Sequence, residues 1–386
     1  MRWIKLFERF NSLENIVLIG GGISSLYTAY LIKKKFPGVK YTIIEKDSKC
    51  GGRVNMSKID DVYIPTGAQF TRVDKDLILK KLLKDLNIKL DTYTLDMDYT
   101  FKKNDIDEMI KKLNRNINKF DRSKITFKQF ASEVLNQDYN KFIDMMGYSD
   151  FENADIEDTM YNYGLNDNIP GYKVANVPWN IVIERLIEEI GSDNIILNTE
   201  VNSIKKEGQS FLINSKIKCD GIIIGVTINQ LRKLLDNPIY KQIESQNFLK
   251  TFAKSNDLNI DKYTIVDSPL RKIVPIKDNI FTITFADNKD ARDLKDKDKD
   301  YFENILSKQF NEDIKLSSLK KFFWEEGTHY FKPLLSKWKS RSEFINDAQH
   351  PKDNIWVIGE VVAEKQGWVE GALSSVEKIS LFKKLN

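Results

Sequence analysis

Three glycines stand together at Gly20, Gly21 and Gly22, between the apolar run NIVLIG (15–20) and the amphipathic run SSLYTAYLIKKKF (24–36). Gly20, Gly22 and Ser25 fill the three positions of a G-x-G-x-x-G pattern, with serine in the last. The first glycine of that pattern permits a tight turn, and the second lets a pyrophosphate approach a helix N-terminus. The third position needs a small residue for helix–strand packing, and serine is a mild departure. Further on, Glu45 ends a second apolar run, where a carboxylate would accept hydrogen bonds from ribose hydroxyls. KCGGRV (49–54) then adds a second glycine pair. Gly52 and Arg53 suit a loop folded against the same pyrophosphate, with Arg53 supplying charge and fork-shaped donors. The glycine turn and Glu45 describe recognition of a dinucleotide and do not by themselves separate NAD(P) from FAD; what separates them is the stretch that follows, 49–54.

The elements that must position them follow from periodicity. NIVLIG is short, apolar and β-branched, as a buried parallel strand should be. The next run places Leu26, Ala29, Leu31, Ile32 and Phe36 at helical spacing, and YTIIE (41–45) reads as a second buried strand. Strand, glycine turn, helix and strand make a βαβ unit. In the middle of the chain, Ile181, Val182, Leu186 and Ile190 predict a helix over 179–190, ended by Gly191. IILNTEVNSIKKEG and QSFLINS read as a meander, and GIIIGV (221–226) as a buried strand returning to the nucleotide domain. Near the C-terminus, IWVIG (355–359) is a buried strand, and WVEGALSSVEKISLF has helical spacing through Val369, Ala372, Val376, Ile379 and Leu381.

Composition narrows the function classes. The 386 residues carry 60 lysines and arginines against 56 acidic residues, and a net +4 gives no ground for a nucleic-acid partner. The stretch DNKDARDLKDKDKD (287–300) alternates in sign and reads as a solvated helix or loop. Cys50 and Cys219 form no CxxC pair, so a disulfide scaffold is not expected and a reducing, cytoplasmic setting is. With only His329 and His350 present, no histidine metal cluster is expected. No apolar run approaches the ~20 residues of a membrane helix. Residues 1–15 predict a short helix packed onto the protein rather than a signal peptide.

The run Val17–Val54 resembles the flavin-containing amine oxidase family, which includes monoamine and polyamine oxidases. IPTGAQFTR (64–72), with Gly67, Ala68 and Gln69, resembles the family segment that passes beside the flavin ring, and also its counterpart in renalase-like proteins. NIWVIGEVVAEKQGWVEGALSSVEKI (354–379) resembles the closing motif, with a Gly-Glu pair and a Gly-aromatic-x-Glu-Gly-Ala helix start. The resemblance implies FAD and an α/β fold. A Rossmann-like FAD-binding domain would comprise 1–75, 172–238 and 345–386. A discontinuous α+β substrate domain would comprise 76–171 and 239–344, the first part a small helical cap.

The resemblance also implies roles. The backbone of Val201 would bind adenine, and Gly359 and Glu360 would contact the pyrophosphate or ribityl chain. Free N–H groups near Val369 would point at the N1–O2 edge of the flavin, where partial positive charge stabilises the reduced anion. Lys250 in FLKTFAKS matches the lysine held near flavin N5 through water, with Lys272 the alternative. Trp368 matches a cage aromatic, with His329, Tyr330 or Phe331 facing it across the pocket, whereas Trp324 reads as core. EEGTHYF lacks the cysteine that tethers flavin in some monoamine oxidases, so the FAD should be noncovalent. Cys50 reads as a buried, inert thiol.

The implied activity is oxidation of a small-molecule amine. Hydride passes to flavin N5 from the carbon bearing a neutral amine, and reoxidation by oxygen gives hydrogen peroxide. Three alternatives share the fold: a renalase-like oxidase of dihydronicotinamides, a protoporphyrinogen-oxidase-like or desaturase-like flavoenzyme, and a non-enzymatic flavin-binding protein. The substrate and the oligomeric state are not legible.

Overall fold

Residues 16–19 are apolar without a break because both faces of their strand are covered, the condition under which parallel sheets form. In the computed structural model, which describes residues 13–121, 124–162, 165 and 171–380, the Asn15–Ile19 strand lies between Lys40–Ile44 and Gly221–Ile224. Ile195–Ile196 and Ile355–Val357 complete a five-stranded, all-parallel sheet. The helices Ile23–Lys35, Trp179–Ile190 and Val369–Lys378 cover one face, burying Leu26, Ile32, Trp179, Leu186 and Leu373. A three-stranded meander (204–219) and the helix Arg341–Gln349 cover the other with Phe211, Ile213 and Phe344. The helix expected within residues 1–15 lies outside the described residues.

A second, six-stranded sheet is ordered Ser318–Phe331, Ile243–Lys254, Ile280–Asp287, Lys272–Lys277, Tyr263–Ile265, Met97–Tyr99. It is antiparallel except for the last pair. Side chains alternate across a strand. Leu249 and Ala253 therefore enter the core built with the helices Asn288–Leu294 and Lys299–Phe310, while Phe252 packs on Ile59 and Ile64 from the other face. Lys250 shares that second face, which looks toward the parallel sheet's loops. Three helices, Lys103–Asn116, Phe127–Leu135 and Tyr139–Met146, form a separate core around Phe127, Phe130 and Phe142. The second of these is started by a capping box of Thr126 and Gln129.

One expectation changes. The charged run 287–300 is not simply solvated: Ala291 and Leu294 within it are buried, and the helix that starts at Lys299 buries Phe302 and Leu306 beyond its end. The strand Met97–Tyr99 pairs with Tyr263–Ile265, so the stretches 76–171 and 239–344 meet in one sheet.

Candidate cofactor and active site

The glycine turn is built for close approach. Gly20 has φ +95°, and a Cβ there would lie 2.5 Å from the Gly225 carbonyl oxygen. At Gly21 a Cβ would meet Cys50 Sγ at 2.8 Å, and the N–H donates to Glu45 Oε2. Gly22 differs: a Cβ would meet nothing within 4 Å among the described residues. It caps the helix Ile23–Lys35 with no side-chain acceptor, which leaves the first-turn N–H groups open. Gly51 donates to the Gly21 carbonyl (2.9 Å), which brings the second glycine pair against the first. Ser25 is buried beneath Gly225, where a larger side chain would not fit. Glu45 Oε1 accepts from the Asp47 N–H (2.8 Å). With one donor on each oxygen, its carboxylate retains acceptor capacity. Burial and Glu45 push the Cys50 thiol up to about 11, so it stays protonated.

Arg53 leads from this turn to the closing segment. Its Nη1 donates to Glu360 Oε2 and to the Gly327 carbonyl, both at 2.9 Å. Glu360 also accepts from the His329 N–H (2.9 Å), from the Gly367 N–H (2.8 Å) and from His329 Nδ1. His329 Nε2 accepts from the Ile228 N–H (3.2 Å), which fixes the Nδ1–H tautomer. Burial alone would raise the Glu360 carboxyl, but the hydrogen bonds from His329 and the charge of Arg53 hold it well below the usual range. Gly359, at φ +104°, donates to Ser375 Oγ (2.7 Å) and lies beside Ser24 in the first turn of the fingerprint helix.

The IPTGAQFTR segment presses on both sides. A Cβ at Gly67 would sit 2.0 Å from the Arg53 carbonyl oxygen, and the Ala68 N–H donates to that oxygen (3.1 Å). On the other side lies Lys250, fully buried, whose Nζ donates to the carbonyls of Gly67 (2.9 Å) and Pro65 (3.3 Å) and to Gln69 Oε1 (3.4 Å). Burial, then repulsion from Lys272, lowers its pKa to about 7, so this ammonium can lose its proton near neutrality. The Trp324 indole N–H donates to the Thr66 carbonyl (3.0 Å) from the same face.

Trp368 stands at the start of the helix Val369–Lys378 with the Arg72 guanidinium 3.8 Å from its ring centroid and Phe70 at 5.9 Å. Arg72 is buried and bound to Asp76 at 2.8 and 3.1 Å. The Trp368 indole N–H is buried without a partner among the described residues. Glu370 turns away and caps a neighbour, accepting from the N–H groups of Ile78 (3.0 Å) and Leu79 (2.9 Å) at the start of the helix Leu77–Asp85. The helix beginning at Val369 has no side-chain cap of its own, so its first N–H groups are open.

The sequence profile of the NAD(P)-binding Rossmann-like domain matches residues 18–86. The whole structure superposes on a double mutant of putrescine oxidase from a redesign of its cofactor binding. The TM-score is 0.73 over 96% of this chain and 99% of that one, at 14% identity. A triple mutant of the same enzyme gives 0.72. The fold is that of putrescine oxidase, an α/β two-domain flavoprotein fold. Sequence likeness to curated proteins is local. Coproporphyrinogen III oxidase of Staphylococcus aureus is 30% identical over 93 residues, 24% of this chain and 20% of that enzyme. An uncharacterised protein of Acanthamoeba polyphaga mimivirus is 30% identical over 82 residues, 20% of this chain and 16% of that protein. The chain thus matches a fifth or less of each relative's length.

Gly20, Gly22, Gly52, Arg53, Gly67, Ala68, Gln69, Lys250, Gly359 and Glu360 lie along one continuous set of contacts, with Glu45 beneath the turn. Val201 is buried beside the meander, its carbonyl accepting from Gln230 Nε2 (2.9 Å). Tyr330 is not among these contacts. Alternation that turns His329 toward Glu360 turns Tyr330 to the opposite side of the strand, paired with Glu244, whose charge, after burial, raises the phenol pKa. His329 is used up on Glu360 and Ile228, and Phe331 enters the sheet core, so neither faces Trp368. Sequence reasoning missed three partners: His329 as the link to Glu360, Arg72 on Trp368, and Trp324 as a donor to the 64–72 segment rather than plain core. Arg72 ends that segment and was findable there. Nothing in the sequence signals the His329 contact.

Proposed function

We propose that this chain is an oxidoreductase that binds FAD noncovalently and oxidises an amine, with oxygen as the terminal acceptor. FAD would supply the redox chemistry, accepting a hydride from the carbon that bears the amine, while the nitrogen would release its proton to solvent. The imine is then hydrolysed, and two electrons and two protons end on oxygen as hydrogen peroxide. The residues present fit the cofactor. Gly22 faces open space at an uncapped helix start, as a pyrophosphate needs. Arg53 spends only Nη1 on the protein, which leaves other donors for the same group. Glu45 retains acceptor capacity for a ribose, and the open amides at Val369 suit a developing anion; the adenine is assigned to the Val201 backbone by the resemblance alone. The nucleotide-binding part would be 1–75, 172–238 and 345–386, and the substrate-binding part 76–171 and 239–344.

The observation that carries the reading is Lys250. A lysine buried to 0% exposure, held on the carbonyls of Pro65 and Gly67, sets a titratable charge against the segment assigned to the flavin ring. Its role would be to stabilise the superoxide formed as oxygen takes the first electron. Trp368 would line the substrate side, although one face of its ring is already covered by Arg72. The Staphylococcus aureus relative favours a second reading, in which the same fold oxidises a porphyrinogen.

The purified protein should be yellow and should release its flavin on acid precipitation. Anaerobic addition of amines, reduced nicotinamides and coproporphyrinogen, followed by flavin absorbance, separates the readings: bleaching by an amine supports ours. A colourless protein that binds no added FAD overturns it.

A further inference from the structure

His329 has no place in the reading above. It is buried on the strand Ser318–Phe331 of the large mixed sheet, and both its ring nitrogens bind residues of the nucleotide part. Nδ1 donates to Glu360 Oε2, and Nε2 accepts from the Ile228 N–H (3.2 Å) at the start of the helix Ile228–Leu234. The same strand reaches across twice more. Glu326 accepts from the Asn229 N–H (2.9 Å), and the Gly327 carbonyl accepts from Arg53 Nη1 (2.9 Å). Glu360 is the shared acceptor. Its Oε1 takes the N–H groups of His329 (2.9 Å) and Gly367 (2.8 Å), and its Oε2 takes His329 Nδ1 and Arg53 Nη1 (2.9 Å). Each oxygen therefore has two donors, and the carboxylate is satisfied.

Arg53 is the opposite case. Only Nη1 is bound to the described residues, and 29% of the side chain is exposed, so Nε and Nη2 remain for an anion from outside. Its loop packs on the open helix start: a Cβ on Gly52 would meet the Gly22 Cα at 3.7 Å. An arginine beside a carboxylate commonly closes on it as a fork, with two parallel N–H···O bonds. Here the histidine occupies the oxygen that a second bond would use. Without Nδ1, Oε2 would lack one donor, and a carboxylate only 6% exposed has little water to supply it. Arg53, already bound there, is the cation placed to make up the loss. It would close onto Glu360 and withdraw the donors that face outward.

We propose that His329 is a positioning residue for the cofactor: by holding Glu360 Oε2 it keeps Arg53 on a single bond to that carboxylate and leaves the other guanidinium donors for the pyrophosphate. It acts through Glu360 and Arg53, its own nitrogens both being bound within the protein. This rests on the FAD reading and adds to it. Residue 329 falls in the stretch 239–344, outside the segments assigned to the nucleotide, so the large sheet also sets how tightly the flavin is held.

The test is FAD binding to the flavin-free, full-length chain, read by quenching of flavin fluorescence, in two variants that divide the histidine's roles. Asparagine places an amide nitrogen where Nδ1 stands, and glutamine places an amide oxygen where Nε2 stands. His329→Asn therefore keeps the donor to Glu360 and loses the acceptor for Ile228, and His329→Gln does the reverse. Both should lower the denaturant midpoint. Only His329→Gln should weaken FAD binding, by about tenfold or more, the scale of one charged hydrogen bond. His329→Asn should bind FAD as the parent does. Equal FAD affinity in the two variants, or weakening in His329→Asn alone, overturns the proposal and leaves His329 as a cap for the helix Ile228–Leu234. If His329→Gln does not fold, Arg53→Lys decides. Lysine keeps the charge beside Glu360 but has no fork, so FAD should again bind about tenfold more weakly. Parent affinity in Arg53→Lys overturns the proposal. A parent that binds no FAD removes the FAD reading and the proposal together. A parent that binds FAD, with His329 variants that do not differ, removes the proposal alone.

Discussion

At the scale of single residues, the glycines of the turn separate into two kinds. Gly20 is required by the protein itself, because its φ of +95° and the nearby Gly225 carbonyl exclude any side chain. Gly20→Ala should cost about 1–3 kcal/mol of stability, read as a lower denaturant midpoint. Gly22 is required only by what approaches it. Gly22→Leu should leave the flavin-free midpoint close to the parent's and abolish FAD retention; FAD affinity equal to the parent's would place the nucleotide elsewhere. Lys250 gives a prediction with a sign. Its folded pKa, about 7, lies below the unfolded value near 10.4, so between these limits the unfolded chain binds the extra proton. Stability tied to this group is fully present above the unfolded pKa and is lost as pH falls toward 7. Relative to Lys250→Met, the parent should therefore gain about 1.4 kcal/mol per pH unit from pH 7 upward, measured by paired denaturant titrations. If the ammonium serves oxygen, flavin reoxidation in stopped flow should slow as pH rises through 7 in the parent and stay flat in the variant.

At the scale of elements, carboxylates do the joining. Glu360 receives donors from Arg53, His329 and Gly367, so one side chain ties the glycine loop, the long strand Ser318–Phe331 and the closing turn. Glu360→Gln should cost about 2–4 kcal/mol and loosen FAD binding through Arg53. Because the folded pKa is depressed, that stability is fully present above the unfolded value near 4.3 and is lost as pH falls. The difference between parent and variant should stay level above about pH 5 and shrink below it. Glu370 joins in another way, capping the helix Leu77–Asp85 from outside. Glu370→Gln should cost about 0.5–2 kcal/mol, measured as a shift in denaturant midpoint. The helical spacing after Trp368 gave no sign of this bond, and Asp76, which stands where a local cap would, is bound to Arg72.

At the scale of the whole molecule, the parallel sheet was legible and much of the mixed sheet was not. Fully buried strands such as Gly221–Ile224 announce themselves by continuous apolar runs. Met97–Tyr99 and Tyr263–Ile265 are only three residues each, too short to show a period, and their pairing joins residues far apart in the chain. The glycine turn is legible as a turn for a related reason: close backbone approach, as at Gly20, leaves glycines in the sequence. His329 acts through tertiary placement, by its contacts with Glu360 and Ile228, and that leaves no mark in the sequence.

The order of strands in the parallel sheet also has a consequence in time. Asn15–Ile19 pairs with Gly221–Ile224, which pairs in turn with Ile355–Val357, so its neighbours are made long after it. During synthesis the glycine turn leaves the ribosome hundreds of residues ahead of the helix at Val369. Such distant pairings close slowly. The nascent chain can therefore hold no finished glycine-turn site, and on the proposed reading flavin capture would belong to the last stage of folding. On refolding with FAD present, quenching of flavin fluorescence should follow the slowest folding phase and never precede it.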